Sequence, residues 1–328
     1  MRVHLTQPAT LPINEWEQMF VPELARRLGR DPKNTYELVN DGASADLIVM
    51  LEPNTRKSAT DVMRLLEDPN VAAHADRVCT VNYEVHPAGF LPGLYTNLTR
   101  RTFEAGRHRS WTYLFLANGF TLKKRDRFAS TPSHLYTFRG AISHPVRDRL
   151  AEITKTSDVD ARFTIVDRWF DHTEDEQRGY VDEILDSHFV LCPRGLGPAS
   201  HRLFEVMAMG RCPVIISDEW LPIECIDWAA CSIRVDEARV DEIPALLDAR
   251  RADAPELGRN ARHTFKEYFS PKNGPRRALD TLRSILVDRS PDHDERAARR
   301  SWVTRDFFER AGWTYAPAVA ARLEKLIE

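Results

Sequence analysis

Short, unbroken apolar runs recur along this chain, and helical stretches separate them. Asp46 to Leu51 reads DLIVML. A run with no polar residue between its apolar ones suits a strand buried on both faces, as in a parallel sheet covered by helices. Val3 to Leu5, Val78 to Tyr83 (VCTVNY) and Tyr113 to Ala117 (YLFLA) repeat the signal. Between them, Glu15 to about Leu28 predicts a helix, with Asn14 as its cap, Gly29 as its stop, and Trp16, Met19, Phe20 and Leu24 at helical spacing. Ser58 to Glu67 predicts another. Strands alternating with helices make βαβ units and a mostly parallel sheet.

Lys123 to Ser133 is charged and carries Pro132, and it reads as a linker. The alternation then restarts. Strands are expected at Leu135 to Phe138, Phe163 to Val166, Phe189 to Cys192 and Pro213 to Ile216. Helices are expected at Val146 to Thr154, Asp175 to Leu185, Ala199 to Met209, Asp241 to Arg250 and Gly258 to Tyr268. The tail from about Glu295 is helical and carries Trp302, Phe307, Phe308 and Trp313. Side chains of that size need a surface, and docking back on the first domain supplies one. The expected domains are therefore 1–128, 129–295, and a tail 296–328 that crosses back. With 328 residues and 42% apolar composition, the chain can fill two cores.

The charge balance excludes some partners. Forty-six basic against 49 acidic residues leave a net charge of −3, with no general pull toward nucleic acid or anionic lipid. The basic run Lys123 to Arg127 and the pair Arg299-Arg300 read as solvated faces. The five cysteines, Cys79, Cys192, Cys212, Cys225 and Cys231, form no C-x-x-C pair and read as free thiols in a reducing compartment. No run approaches the roughly 18–20 apolar residues of a membrane span. With no signal peptide visible, a cytoplasmic location is expected.

The chemistry concentrates in Ser187 to Pro222. A buried strand ends in a loop where Gly195 and Gly197 let the backbone turn tightly and approach a ligand. The loop feeds a helix whose free N–H groups and positive dipole end favour an anion. Ser200 adds a hydroxyl, and Arg194 and Arg202 add charge suited to phosphate oxygens. Ligands of open α/β sheets bind at this carboxyl end of the strands. Glu205 lies five residues into the helix from Ser200, about 7.5 Å along the axis. That is the span from a diphosphate to the ribose of the same nucleotide, and an ordinary salt bridge to Arg202 or His201 would explain Glu205 equally well.

Taken together, this text closely resembles the exostosin family of glycosyltransferases. The matching elements are Cys192-Pro193-Arg194-Gly195, Gly197, Ser200, Arg202-Leu203-Phe204-Glu205, Pro213-Val214-Ile215, Ser217-Asp218, Leu221-Pro222 and Asp227-Trp228. A second family element, F-R-G after a strand and then an Arg on a helix, matches Phe138-Arg139-Gly140 and Arg147. The likeness is firm from Tyr136 to Leu247 and weaker over Val81 to Tyr95. It implies a GT-B fold of two Rossmann-like domains facing across a cleft, and an inverting transfer with no metal or cofactor in the chemistry. A nucleotide-diphosphate sugar, a UDP-sugar, is the implied donor, and the hydroxyl of a glycan or glycoconjugate the acceptor. It also places Arg139, Gly140 and Arg194 at the diphosphate with Ser200, Glu205 at the ribose, and Asp218 and Trp220 near the donor sugar. Animal relatives carry a membrane anchor, and none is expected for this chain.

A general base is expected from the N-terminal domain. Glu84, just past the strand Val78 to Tyr83 and with His86 two residues on, is the candidate, and Asp41, Asp46 and His4 are rivals. The D-x-D triplet Asp158 to Asp160 precedes a strand instead of following one, so it reads as a loop and not a metal site. Two other readings stay open: a phage-type enzyme that glycosylates a DNA base, and a nucleotide-sugar-binding module without activity.

Overall fold

The computed structural model describes residues 1–31, 33–54, 57–85, 87–114, 118–122, 131–167, 172–289 and 294–327. His86, residues 115–117, the basic run Lys123 to Arg127, Trp169, Asp292 and His293 lie outside them. In chain order the first elements are β1 (Arg2–Thr6), α1 (Phe20–Leu28), β2 (Glu37–Leu38), β3 (Leu47–Leu51), α2 (Ala59–Leu66), α3 (Pro69–Ala73), β4 (Val78–Asn82), β5 (Gly93–Tyr95) and β6 (His108–Ser110). They pair in one parallel sheet, ordered β2-β1-β3-β4-β5-β6. Every residue of β3 and β4 is buried, as continuous apolar strands in a parallel sheet require. Helix α2 starts on a capping box, in which the Ser58 hydroxyl accepts the Asp61 N–H and the Asp61 carboxylate accepts the Ser58 N–H.

The second series is β7 (His134–Gly140), α4 (Pro145–Thr156), β8 (Ala161–Ile165), α5 (Glu174–Leu185), β9 (Ser187–Pro193), α6 (His201–Met209), β10 (Cys212–Ile216), β11 (Ile233–Arg234), α7 (Ile243–Ala249) and α8 (Ala254–Thr264). Its parallel sheet is ordered β11-β10-β9-β7-β8. The chain closes with α9 (Gly274–Val287), α10 (Glu295–Ala298), α11 (Arg305–Arg310) and α12 (Pro317–Ile327). Two parallel-sheet α/β units in one chain are the composition of the GT-B architecture.

The compact units are Met1–Trp111 with Pro271–Glu328, and Thr112–Ser270. They divide the chain earlier on both sides than the expected 1–128 and 129–295, because α9 packs with α1 and β5 of the first unit. The tail is part of the first core: Trp302, Phe307, Phe308, Leu323 and Ile327 are buried among Ile48, Met50, Val62, Leu66 and Phe90. The second core gathers Leu135, Phe138, Leu150, Phe189, Leu191, Val214 and Ile243.

Two local expectations are corrected. Tyr113 and Leu114 form no strand, and a strand β6 precedes them instead. Trp16 and Met19 are 58% and 61% exposed, while Glu17 between them is buried. Asn14 and Glu17 bond each other's backbone N–H, and Glu17 also accepts the Asn54 N–H, so the turn closes on a carboxylate instead of an apolar stripe. Trp220 is 2% exposed and stands edge-on to Trp228 at 4.9 Å.

Candidate functional site

In the second unit the site is built at the carboxyl ends of β7 and β9. The first turn of α6 follows Ser200, whose side chain makes no capping bond. The loop from Arg194 to Ser200 is fastened from below by Arg147 of α4. Its guanidinium donates to the carbonyls of Arg194 at 2.8 Å, Ala141 at 2.7 Å and Pro193 at 3.2 Å. These bonds tie the turn after β7 to the turn after β9. Burial, with Arg202 nearby, pulls Arg147 down to about 9. A Cβ on Gly195 would stand 3.0 Å from the Arg147 guanidinium and the Ser143 hydroxyl, so a side chain here would press on both.

Three further arginines lie on these elements. Arg202 lies over the Phe138 ring at 4.3 Å and donates to the Arg139 carbonyl. That packing explains Gly140, whose Cβ would meet the Arg202 guanidinium at 2.8 Å. Arg139 is held by Glu183 of α5 at 2.7 Å. Arg194 is held by Glu219 at 2.9 Å, with Glu237 at 3.8 Å. Asp218 and Glu237 exchange backbone bonds, each carboxylate accepting the other's N–H at 3.0 Å. A charge-assisted bond to carboxylate has the geometry of one to phosphate. Arg139 and Arg194 thus each hold a carboxylate with a bond of that kind.

Glu205 is 5% exposed and makes neither of its alternative helix salt bridges; its two oxygens accept the Tyr180 hydroxyl at 2.6 Å and the Asn118 N–H at 3.2 Å. Burial raises its pKa, and the Tyr180 bond opposes the shift. Each carboxylate oxygen has a second lone pair, so the group can still accept from hydroxyls. Tyr180 and Asn118 were not legible as site residues. Tyr180 sits beside the apolar stripe of α5, where an aromatic ring reads as packing. His201, first in α6, stacks on Tyr113 with ring centroids 3.3 Å apart, and burial lowers it to about 4.

In the first unit, Glu84 lies just beyond β4 and is 3% exposed. Its Oε1 accepts the Lys57 N–H at 2.5 Å, and its Oε2 the Lys57 ammonium at 3.2 Å. The same ammonium is 3.0 Å from Glu52, just beyond β3. Burial, against the pull of Lys57, raises Glu84 to about 7. The rivals stand elsewhere. Asp46 binds the N–H and guanidinium of Arg2 at the amino end of β3, away from the carboxyl edge. Asp41 closes a turn on Ser44, and the His4 ring bonds the Val39 carbonyl. Asp160 pairs with His134 at 2.6 Å.

Among the described residues, no group of three or more His, Cys, Asp or Glu could hold a metal ion. No helix among them is long and apolar enough to cross a membrane. Cys79, Cys192, Cys212 and Cys231 are buried and Cys225 is exposed. Burial pushes the Cys79 and Cys192 thiols up to about 12.

Residues 122–249 match the Exostosin GT47 domain. The matched stretch runs from before β7 to the end of α7 and contains every arginine of the second unit's site. Among similar proteins, the Exostosin-1 homolog of Caenorhabditis elegans is 39% identical over 102 residues, 30% of this chain and 27% of that one. A probable glucuronoxylan glucuronosyltransferase of Arabidopsis thaliana is 34% identical over 130 residues, 38% of this chain and 27% of that one. The chain thus spans about a quarter of the length of these relatives. The solved structure of Anabaena Alr3699/HepE in complex with UDP is 11% identical, covers 87% of this chain and 100% of its own, and has a TM-score of 0.45. Over residues 122–249 the chain is an exostosin-family domain.

Proposed function

We propose that this exostosin-type chain is a glycosyltransferase, which moves a sugar from a nucleotide-diphosphate donor to an acceptor hydroxyl with inversion and without a metal in the chemistry. A UDP-sugar is the donor, and a glycan or glycoconjugate the acceptor. The carrying observation is that the family match coincides with the arginine-lined loop between β9 and α6.

The step is a displacement. The acceptor oxygen bonds to the anomeric carbon, the bond from that carbon to the diphosphate oxygen breaks, and its electron pair leaves with the diphosphate. Charge then grows on the leaving group, where preorganised donors lower the barrier. Arg139, Arg194 and the first N–H groups of α6 are those donors, and Ser200 adds its hydroxyl. Gly140, Gly195 and Gly197 keep the backbone close to the phosphates. Arg202 braces the Arg139 carbonyl, Glu205 takes the ribose hydroxyls, and Asp218 lies toward the sugar. The base is Glu84 of the first unit, with His86 two residues on in the sequence.

Arg139→Ala is the test. Turnover, read as nucleotide diphosphate released, should fall about 10²–10³-fold. Circular dichroism should stay unchanged. An Arg139→Ala enzyme of full activity refutes the assignment. In a thermal-shift screen of UDP-, GDP-, TDP- and CMP-sugars, the UDP-sugars should raise the melting temperature most, since a ligand of the folded state stabilises it by mass action.

A further inference from the structure

The first unit buries a lysine between two glutamates, and its ammonium also donates to the Pro53 carbonyl at 3.2 Å. Lys57, Glu52 and Glu84 are 5%, 3% and 3% exposed. Lys57 Nζ stands 3.0 Å from Glu52 and 3.2 Å from Glu84. Glu52 also accepts the Thr80 hydroxyl at 2.6 Å, and the Asn82 side chain holds the Glu84 N–H at 2.9 Å. Apolar residues of similar volume commonly stabilise a core as well as or better than buried ions. The two glutamates follow β3 and β4 directly, at the carboxyl edge where ligands of parallel sheets bind.

We propose that Lys57 and Glu52 are positioning residues that govern how strongly Glu84 holds a proton, on the reading of Glu84 as the base of the transfer. One ammonium between two carboxylates carries a net charge of −1. When Glu84 takes the proton of the acceptor hydroxyl it becomes a neutral acid, and the three groups together become neutral. In a desolvated setting that neutral state is favoured. Glu52 supplies the excess negative charge that draws the proton, while Lys57 keeps Glu84 ionised beforehand and fixes both of its oxygens. Among the described residues, the Tyr95 phenol, bonded to the Leu91 carbonyl, senses the two glutamates, and the Asp61 carboxylate senses Lys57.

The two neighbours act on Glu84 with opposite sign, and the pH–rate profile separates a catalytic role from a structural one. Titration of Glu84 by ¹³C NMR on carboxyl-labelled protein needs no substrate. Glu52→Gln should lower its midpoint by about one pH unit or more, and Lys57→Met should raise it by a similar amount. Lys57→Arg keeps the charge and should restore the parent value. If Lys57→Met does not fold, Glu52→Gln and Lys57→Arg carry the test. Shifts in the same direction, or no shift in either variant, overturn the proposal. The acidic limb of the pH–rate profile is measured on the same variants. Limbs that follow the NMR midpoints support it. Midpoints that move while the limbs stay put remove Glu84 as the base, and with it the catalytic meaning of the cluster, while the donor site stands.

Discussion

At the residue scale, burial decides which ionisable groups hold charge. His108 is fully buried in β6. Its Nδ1 accepts the Glu104 N–H at 3.0 Å, so the proton sits on Nε2, which donates to the Gly89 carbonyl at 3.0 Å. Desolvation, reinforced by Arg107, lowers it to about 3. The folded value lies below the unfolded one, so the stabilisation is complete above about pH 6.5 and is lost as pH falls from there toward 3. Between pH 6.5 and 4.5 the parent protein should lose about 1.4 kcal/mol per pH unit more than His108→Gln, which does not titrate. Urea unfolding at three pH values checks this. Equal pH slopes in the two proteins would contradict a neutral His108.

At the element scale, α6 is held where it meets α8. Gly210 ends α6 with φ 71°, the left-handed conformation that glycine adopts without a Cβ penalty. A Cβ on Gly258 of α8 would meet the Gly210 carbonyl oxygen at 2.4 Å, and that backbone cannot swing away. Gly258→Ala should therefore cost about 1–3 kcal/mol and tilt α6. Thermal denaturation should show the loss, and UDP affinity should drop with it, since α6 carries Arg202 and Glu205. Unchanged affinity would mean that the helix end is free to shift. The strand–loop–helix around α6 was legible because two glycines, a serine and three charged residues each need that geometry. The same logic failed for β5 and β6: three residues give no periodicity, and Gly93 weakens the signal further. It failed again for Glu17 and Glu52, where a carboxylate sits in a core because backbone N–H groups or a buried ammonium receive it. Some partners come from distant parts of the chain, Asn54 for Glu17 and Thr80 for Glu52, so no local pattern reveals them. Tyr180 and Asn118 are 25 and 87 residues from Glu205 for the same reason.

At the scale of the whole molecule, the first unit is completed only by the tail. Trp302, Phe307, Phe308, Leu323 and Ile327 are each at most 5% exposed in its core. At about 2 kcal/mol per buried large apolar side chain, those five contribute on the order of 10 kcal/mol. That rivals the 5–15 kcal/mol by which whole domains are stable. A chain cut after Asp294 should lose the first unit and keep the second, read as one of two unfolding transitions by calorimetry. A cut chain that retains both transitions would show the tail to be dispensable.

The interrupted first unit also sets an order of events during synthesis. Residues 112–270 form a self-contained unit, whereas residues 1–111 wait for a partner segment made after it. On the ribosome the second unit can close while the first still exposes the faces of β3 and α2. For as long as translation of about 160 further residues takes, those faces are the stretch of nascent chain most in need of a chaperone.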